Sequence, residues 1–547
     1  MTAVDSPPDH AVAGPARIAA WRAVLAGAAG AGLALGITEF AAGLLDSVPS
    51  LIDAVAAQVI QVLPGDLLTW GIETFGESDR AVIGSVIAVV VLLVGGAAGL
   101  ARRSGSTADS GLFAAFALLG AGASLADVNT NFFVVLLVVA VAAGAGWWVM
   151  RWLVDSSLPA SPSRSRREPA GSDGPARPRA GGHPDDRPGV SLDRRAFLAA
   201  AGAVGGIAAV GVAGGRALAG RSVATASGPV NVSLPPVADP LAPPPDAASL
   251  AVDGLSPLFV PNEDFYRIDT AVTGPPRVDL PTWTLRVHGQ VRNEVTLDFE
   301  QLVDRGLIES DVTIACVSNE VGGGLVGNAR WTGVPLAPLL EEAGVLPGGT
   351  QLVGRAVDGF TVGFPTEVAM DGRDAMVAVA MNGEPLPVEH GFPARLIIPG
   401  LYGYVSATKW LSDIELTGWD DFDAYWVPRG WSKEGPIKTQ SRIDTPTRSS
   451  SLAPGETVVA GVAWAPTRGI SRVEVRVDDG DWVEARLAEA LNDTTWVQWQ
   501  LPVTLDSGGH TLAVRATDGD GTTQSGEPVP EHPNGAEGWH TVRVQVA

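Results

Sequence analysis

A single cysteine, Cys316, stands in this chain of 547 residues, and its surroundings decide what chemistry it can do. In VTIACVSNEVGGGLVGNARWTG (312–333), Val312, Ile314 and Cys316 alternate with smaller residues, as in a strand with one buried face. The pattern breaks at Asn319 and Glu320 and runs into Gly322, Gly323 and Gly324. A thiol at a strand end, followed by backbone nearly bare of side chains, suits close approach of a bulky ligand. A lone cysteine also packs as a small hydrophobe, and spacing alone leaves both readings open. A thiolate is a soft ligand, suited to a metal that takes further sulfur donors. One protein thiolate is too few for a zinc site, so a metal here needs ligands from an organic cofactor. The glycine run is not a phosphate loop, since neither GxxxxGKS/T nor GxGxxG opening a helix occurs. HExxH and GxSxG are absent too.

Composition narrows the classes. Hydrophobic residues make up 46% of the chain, beside 41 prolines and 66 glycines, which implies membrane segments joined to a loop-rich, β-containing portion. A net charge of −23 leaves no room for a basic patch, so nucleic acid is excluded as a partner. One cysteine excludes an intrachain disulfide, multi-cysteine zinc and iron–sulfur sites, and covalent CxxCH haem.

The elements that would carry Cys316 come late in the chain. Residues 1–155 form the membrane region, with apolar spans at 18–45, 80–101, 111–128 (short and weak) and 132–153. Residues 47–75 mix Asp53, Asp66 and Glu73 with apolar residues, as an interfacial or re-entrant segment does. Glu39, near the end of the first span, is read as interfacial. Arg17, Arg22, Arg102, Arg103 and Arg151 mark the first, third and last connections as cytoplasmic, which gives four spans with both ends inside. Residues 156–190 are a Pro/Ser/Arg/Gly-rich disordered linker. Residues 191–221 carry Arg194–Arg195 before a mildly apolar run, either a twin-arginine export signal or a fifth helix. Both readings place the remainder of the chain on the extracytoplasmic side, anchored or cleaved after Ala219 or Ala226.

Residues 222–252 are proline-rich and extended. From Asp253 to residue 430, WTLRVHG, AMVAVAM and RLIIP read as strands, with short helices near Phe299 and Leu336 and a stop at Gly344. Without a regular βαβ rhythm this is an α+β domain. Residues 431–547 hold strands between Gly/Asp/Pro turns, an immunoglobulin-like β-sandwich with no cysteine pair.

Three motifs in order, CVSNEVGGGLVGNARWTGVPLAPLLEEAGV, MNGEPLPVEHGFPARLIIPG and YGYVSATKWL, resemble the molybdopterin domain of the sulfite oxidase superfamily. The tail resembles that family's C-terminal dimerisation domain. The resemblance implies a multi-domain oxidoreductase: N-terminal transmembrane helices, an α+β molybdopterin domain and an immunoglobulin-like sandwich. It implies Cys316 as the metal ligand of a molybdenum–molybdopterin cofactor, with Asn319 completing the CxxN motif. Asn262, Phe265, Tyr266 and Arg267 match the cofactor-facing segment, Arg267 as a catalytic residue or as a partner of Asp269. His390 and Arg395 match the pair that holds the pterin and its phosphate. Ser406, Thr408 and Lys409 match the closing segment at the phosphate end. Asp358 and Thr361 stand in a DGFT turn that could face the site.

Two departures from the family stand out. Glu320 and Val321 occupy places that carry arginines in sulfite oxidases, which puts sulfite itself in doubt. All seven histidines lie outside the four apolar spans, which excludes a bis-histidine haem there. Electrons must then pass to a separate carrier, a cytochrome or a quinone-linked protein. The expected activity is oxygen-atom transfer on a small substrate. The alternatives are sulfoxide reduction in the same superfamily, or a non-catalytic receptor or adhesion protein using the sandwich. A homodimer through the sandwich is a further expectation from the family.

Overall fold

The structure is a computed structural model that describes residues 18–45, 48–62, 79–124, 131–157, 192–226, 232–271, 275–276, 278–448 and 450–547. The chain divides into two compact units, Met1–Ser222 and Val223–Ala547.

The first unit is helical: α1 (Ala20–Leu44), α2 (Leu51–Val62), α3 (Asp79–Arg103), α4 (Ala108–Ser124), α5 (Phe132–Asp155) and α6 (Arg194–Ala226). Among the described residues, four stretches are long and apolar enough to cross a membrane: Ala20–Leu44, Val82–Arg103, Phe132–Asp155 and Arg194–Leu218. The weak span at 111–128 forms the 17-residue α4, at the lower limit of bilayer length. The run after the arginine pair takes its place among the long helices. Lipid offers no hydrophobic drive between helices, so they associate where small residues let backbones touch. A Cβ on Gly27 of α1 would lie 1.9 Å from Gly95 O of α3, and one on Gly30 would lie 2.4 Å from Gly146 O of α5. Glu39 is buried and accepts from Ser50 Oγ (2.9 Å) and Ile52 N (3.2 Å), so it caps the free amides at the start of α2. In α6, Phe197 meets Trp21 edge-on at 5.8 Å while Arg194 lies over the same indole. The linker at 158–191, Arg17, Asp66, Glu73 and most of the segment between the first two spans lie outside the described residues.

The second unit begins with an extended strap, 232–260, and then alternates short strands and helices. Its first domain contains β1 (Thr284–Gly289), β2 (Val295–Asp298), β3 (Ile308–Ala315), β4 (Val326–Pro335), β5 (Gln351–Ala356), β6 (Thr361–Pro365), β7 (Met376–Met381), β8 (Glu384–Pro385), β9 (Arg395–Ile397) and β10 (Leu411–Thr417). One sheet runs β2-β1-β10-β5-β6; the other runs β3-β4-β7-β8, with β9 also on β7. Helices α7 (Phe299–Val303) and α8 (Leu336–Ala343) present Leu302, Leu336, Leu339 and Leu340 to a shared core. Each such side chain contributes roughly 1.5–3 kcal/mol on burial. A reciprocal Asp298–Gln301 box starts α7, and Gly344 ends α8 at φ +68, a conformation that glycine takes without a Cβ clash.

The sandwich comprises β11 (Gln440–Thr445), β12 (Ser451–Leu452), β13 (Gly455–Trp464), β14 (Ile470–Val477), β15 (Val483–Glu484), β16 (Arg486–Leu487), β17 (Val497–Leu505), β18 (Gly508–Asp518) and β19 (His540–Val546). Its sheets run β11-β13-β17-β16 and β12-β19-β18-β14-β15. Val459, Val473, Trp499, Leu512 and Val514 fill the space between them, so packing alone holds the described core.

Strap, first domain and sandwich meet at one buried network. Asn328 on β4, fully buried, donates to Leu258 O of the strap (2.9 Å) and accepts from Thr313 Oγ1 of β3 (3.0 Å). Thr313 Oγ1 in turn accepts from Trp496 N (2.7 Å), and Trp496 Nε1 donates to Leu258 O (2.8 Å). Buried polar groups this fully paired fix one arrangement of the three parts.

Candidate active site

The chain leaves β3 at Ala315, and Cys316 opens a loop that closes again at Leu325, where β4 follows. The Cys316 amide donates to Leu325 O (2.9 Å). Asn319 pins the loop from inside: its amide donates to Cys316 O (3.1 Å) and its Oδ1 accepts from Leu325 N (2.7 Å). Cys316 is 8% exposed, and burial pushes its thiol above the usual range. Such a thiol stays protonated until a cation takes its place, and metal uptake there would release a proton. Among the described residues no three His, Cys, Asp or Glu side chains form a metal cluster, so a metal at Cys316 would depend on ligands from elsewhere.

The glycine run does not lie open to a ligand along its length. Gly322, at φ +81, lies beneath the His540 ring, where an added Cβ would come within 2.2 Å of Cδ2. Gly323 O accepts from Arg442 Nη1 (2.8 Å), and a Cβ on Gly538 would sit 3.6 Å from Val321 Cγ2. The sandwich therefore claims the bare backbone; only Gly324 has open space beside it. Glu320 is exposed.

Arg395, the first residue of β9, is 5% exposed and lies over the Trp331 ring at 5.0 Å. Its Nη1 donates to His390 O (3.0 Å), but among the described residues Nε has no partner and no carboxylate pairs with it. Burial draws it down to about 10. Thr408 Oγ1 is likewise buried without a partner. An unpaired buried guanidinium costs several kcal/mol, roughly, unless an anion arrives to satisfy it. Arginine's planar fork suits a phosphate or another oxyanion. The orphaned donors therefore fit an anionic organic cofactor.

The segment carrying Asn262, Phe265 and Tyr266 covers this region. His390 Nε2 lies 2.7 Å from Asn262 O, so Nε2 carries the proton, and burial holds the imidazole at about 4. Asn262 is occupied by Met381 O (3.1 Å) and by Asn382 Nδ2 (2.9 Å). Phe265 meets His390 edge-on at 5.8 Å and stacks on Tyr266 at 5.3 Å. Burial, and then the nearby Cys316 thiolate charge, would raise the Tyr266 phenol. Thus Cys316, Tyr266, Phe265, His390 and Arg395 are brought together.

Ser406 Oγ donates to Tyr402 O (3.0 Å), within its own turn. Lys409 Nζ reaches Asp269 Oδ2 (2.9 Å) and Glu389 O (3.1 Å), and burial lowers it to about 8 against the opposing pull of Asp269. Arg267 also binds Asp269, at 3.0 Å, and makes no hydrogen bond to the Cys316 loop among the described residues. Despite burial, Lys409 and Arg267 hold Asp269 below the usual carboxylate range. Burial raises Asp358, and the charge of Asp269 adds to that; its Oδ1 accepts from Phe360 N (3.1 Å) within the DGFT turn. Thr361 instead accepts from Tyr425 N (3.0 Å).

Three groups escaped the sequence. Tyr402 is 4% exposed, and its phenol, raised to about 12 by burial, also feels Cys316 and Glu537. His540 and Arg442 come from the sandwich, more than 100 residues after the loop they clamp. Tyr402 opens the third motif, and that place was its one signal in the sequence; nothing local announces the other two.

The segment that carries this thiol and these donors is similar in sequence to known proteins. Residues 272–426 match the oxidoreductase molybdopterin binding domain. An uncharacterized oxidoreductase of Bacillus subtilis, YuiH, is 34% identical over 157 residues, 29% of this chain and 76% of that protein. The chain belongs to the molybdopterin-binding oxidoreductases of the sulfite oxidase superfamily. Rat mitochondrial sulfite oxidase is 27% identical over 323 residues, half of this chain and 59% of that protein's length. Among solved structures, the sulfane dehydrogenase SoxCD of Paracoccus pantotrophus is 24% identical, with a TM-score of 0.47, over 54% of this chain and 84% of its own.

Proposed function

We propose that the chain is a molybdenum-cofactor oxidoreductase that moves an oxygen atom to or from a small substrate and exchanges two electrons with a separate carrier. The observation that carries this reading is that the buried Arg395, unpaired among the described residues, and the buried Cys316 thiol both lie within electrostatic reach of Tyr266: one donor set suits an anionic pterin, the other a soft metal. When bound, the cofactor supplies two-electron redox chemistry and a transferable oxygen. The chain's own residues then have separable tasks. Cys316 holds the metal, and Asn319 holds the cysteine loop in shape. Arg395 and Thr408 complete their hydrogen bonding on the pterin and its phosphate, with Ser406 and Lys409 at the phosphate end. His390 and Asn262 clip the Phe265–Tyr266 segment over the cofactor, and Arg267 orients Asp269 and Lys409. Residues 253–430 form the cofactor domain and 431–547 the sandwich that closes its cysteine loop and can pair two copies. The long apolar helices anchor the protein in a membrane, with the catalytic domain outside the cytoplasm after the Arg194–Arg195 segment.

Glu320 and Val321 favour a second reading in the same class, reduction of a neutral sulfoxide. There the sulfoxide takes up two electrons and two protons, its sulfur–oxygen bond breaks, and the products are the sulfide and one water. A neutral substrate needs no arginine-rich pocket, whereas the sulfite dianion does. The deciding experiment measures molybdenum in the purified protein from a cofactor-competent host. Stoichiometric metal is expected in wild type and none in Cys316→Ser; a metal-free wild type overturns the proposal. Turnover of sulfite with an oxidised dye, against turnover of a sulfoxide with a reduced dye, separates the two substrates.

A further inference from the structure

Between β10 and β11 the chain passes through residues 418–433, which carry Trp419, Phe422, Tyr425, Trp426 and Trp431. The rings form a row. Phe360 lies 5.4 Å from Tyr425, Tyr425 5.1 Å from Trp426, and Trp426 6.3 Å from Trp431. Trp431 then meets Tyr404 at 5.8 Å and the exposed His532 at 5.1 Å. The row is held stiffly. Lys433 Nζ donates to Phe422 O (2.8 Å) and pairs with Asp423, Arg429 lies 3.8 Å over the Tyr425 ring, and Tyr404 OH donates to Ser432 O (2.8 Å). Tyr425, Trp426 and Trp431 are only partly buried, and of these Trp426 and Trp431 pack one side against the core.

Inward, the row ends on Tyr404, one residue past Gly403. That glycine abuts the end of β3, where an added Cβ would sit 3.7 Å from Ala315 O, next to Cys316. Outward, exposed Asp420 and Asp421 flank the rings, on a chain whose net charge is −23. We propose that the face formed by Tyr425, Trp426, Trp431 and His532 is the docking surface for a small one-electron carrier protein with a basic rim around its exposed redox group. The proposal rests on the oxidoreductase reading above. A passive partner would need no ring row continuing toward the thiol, and the flanking carboxylates select a basic rim over an acidic one. Pre-ordered tryptophan and tyrosine are the side chains from which binding hot spots are most often built.

The test is the affinity of the purified full chain for a basic c-type cytochrome, at low and high salt. Trp431→Ala is expected to weaken binding by about tenfold or more. Asp420→Asn with Asp421→Asn, both at exposed positions that do not threaten the fold, should weaken binding at low salt and flatten its salt dependence. Trp539→Ala, on the sandwich, should bind as wild type does. Absence of wild-type binding, equal binding by these variants, or equal affinity for an acidic carrier overturns the docking surface. Molybdenum is assayed in the same preparations. A metal-free protein whose cytochrome binding still depends on Trp431 would sink the oxidoreductase reading and leave the surface standing. A metal-loaded protein indifferent to these substitutions would sink the surface alone.

Discussion

Arg395 is an odd residue for an empty core. It sits beneath Trp331 with one hydrogen bond to a carbonyl and no counter-charge. A buried charge without a partner carries a desolvation penalty of roughly several kcal/mol, which an apolar replacement removes. Arg395→Met should therefore leave the cofactor-free protein as stable as wild type or more so, read as the urea midpoint. The same substitution should reduce retained molybdenum at least about tenfold, since a charge-assisted bond to an anion contributes roughly 1.5–3 kcal/mol. Loss of stability without loss of metal would assign Arg395 to packing alone. Lys409 makes a second, pH-dependent case. Its amine falls to about 8 in the folded protein, so it discharges well below an ordinary lysine. Cofactor release should accelerate as pH rises through that value, and Lys409→Arg, which stays charged, should abolish the acceleration.

The cysteine loop shows what one element demands of its neighbours. Gly322→Ala adds a Cβ at φ +81 and drives it into the His540 ring, which is fixed by Ile443 N donating to His540 Nδ1 (2.9 Å). The left-handed conformation alone costs an L-residue about 1 kcal/mol, and the clash adds to it. Metal retention should fall in Gly322→Ala and recover only in part when His540→Gly removes the ring, because the backbone strain remains. The strap depends on β4 in a comparable way. Asn328→Ala leaves Thr313 Oγ1 and Leu258 O short of partners, at about 1–3 kcal/mol each, and should release the strap to limited proteolysis near residue 250. Much of this was legible beforehand for a physical reason. Strand alternation and the Gly344 stop are local patterns, set by covalent spacing, whereas Cys316, His390 and Arg395 were picked out by the resemblance of their motifs to the family. The sandwich's grip on Gly322 was not, because His540 lies on β19 and reaches the loop only through tertiary packing. The same holds for Asp269, which reads as Arg267's neighbour in sequence yet also receives Lys409 from far along the chain.

At the scale of the molecule, two imidazoles, His390 buried in the first domain and His540 half-buried on the sandwich, give the second unit a shared weakness in acid. His390 sits under the cofactor-facing segment and His540 at the start of β19, and burial lowers both to about 4. An unfolded histidine titrates near 6.5, so between 6.5 and 4 the unfolded chain binds protons that the folded chain refuses. Stability must then fall as pH is lowered through that window, by up to about 1.4 kcal/mol per pH unit for each group. Other groups act elsewhere or oppose it. Lowered carboxylates such as Asp269 and Asp518 lose their contribution only at more acid pH. Asp358, raised by burial, gains on protonation, and the solvent-exposed His510, raised by Asp478, pulls weakly in the stabilising direction. The cofactor-free protein should therefore lose about 2 kcal/mol per pH unit near pH 5, read as a falling urea midpoint at constant slope. His390→Gln keeps a donor for Asn262 O, and His540→Asn keeps an acceptor for Ile443 N. The double variant should flatten the profile across that window while the midpoint at pH 7 changes little; an unchanged acid slope would place the sensitivity in the carboxylates instead.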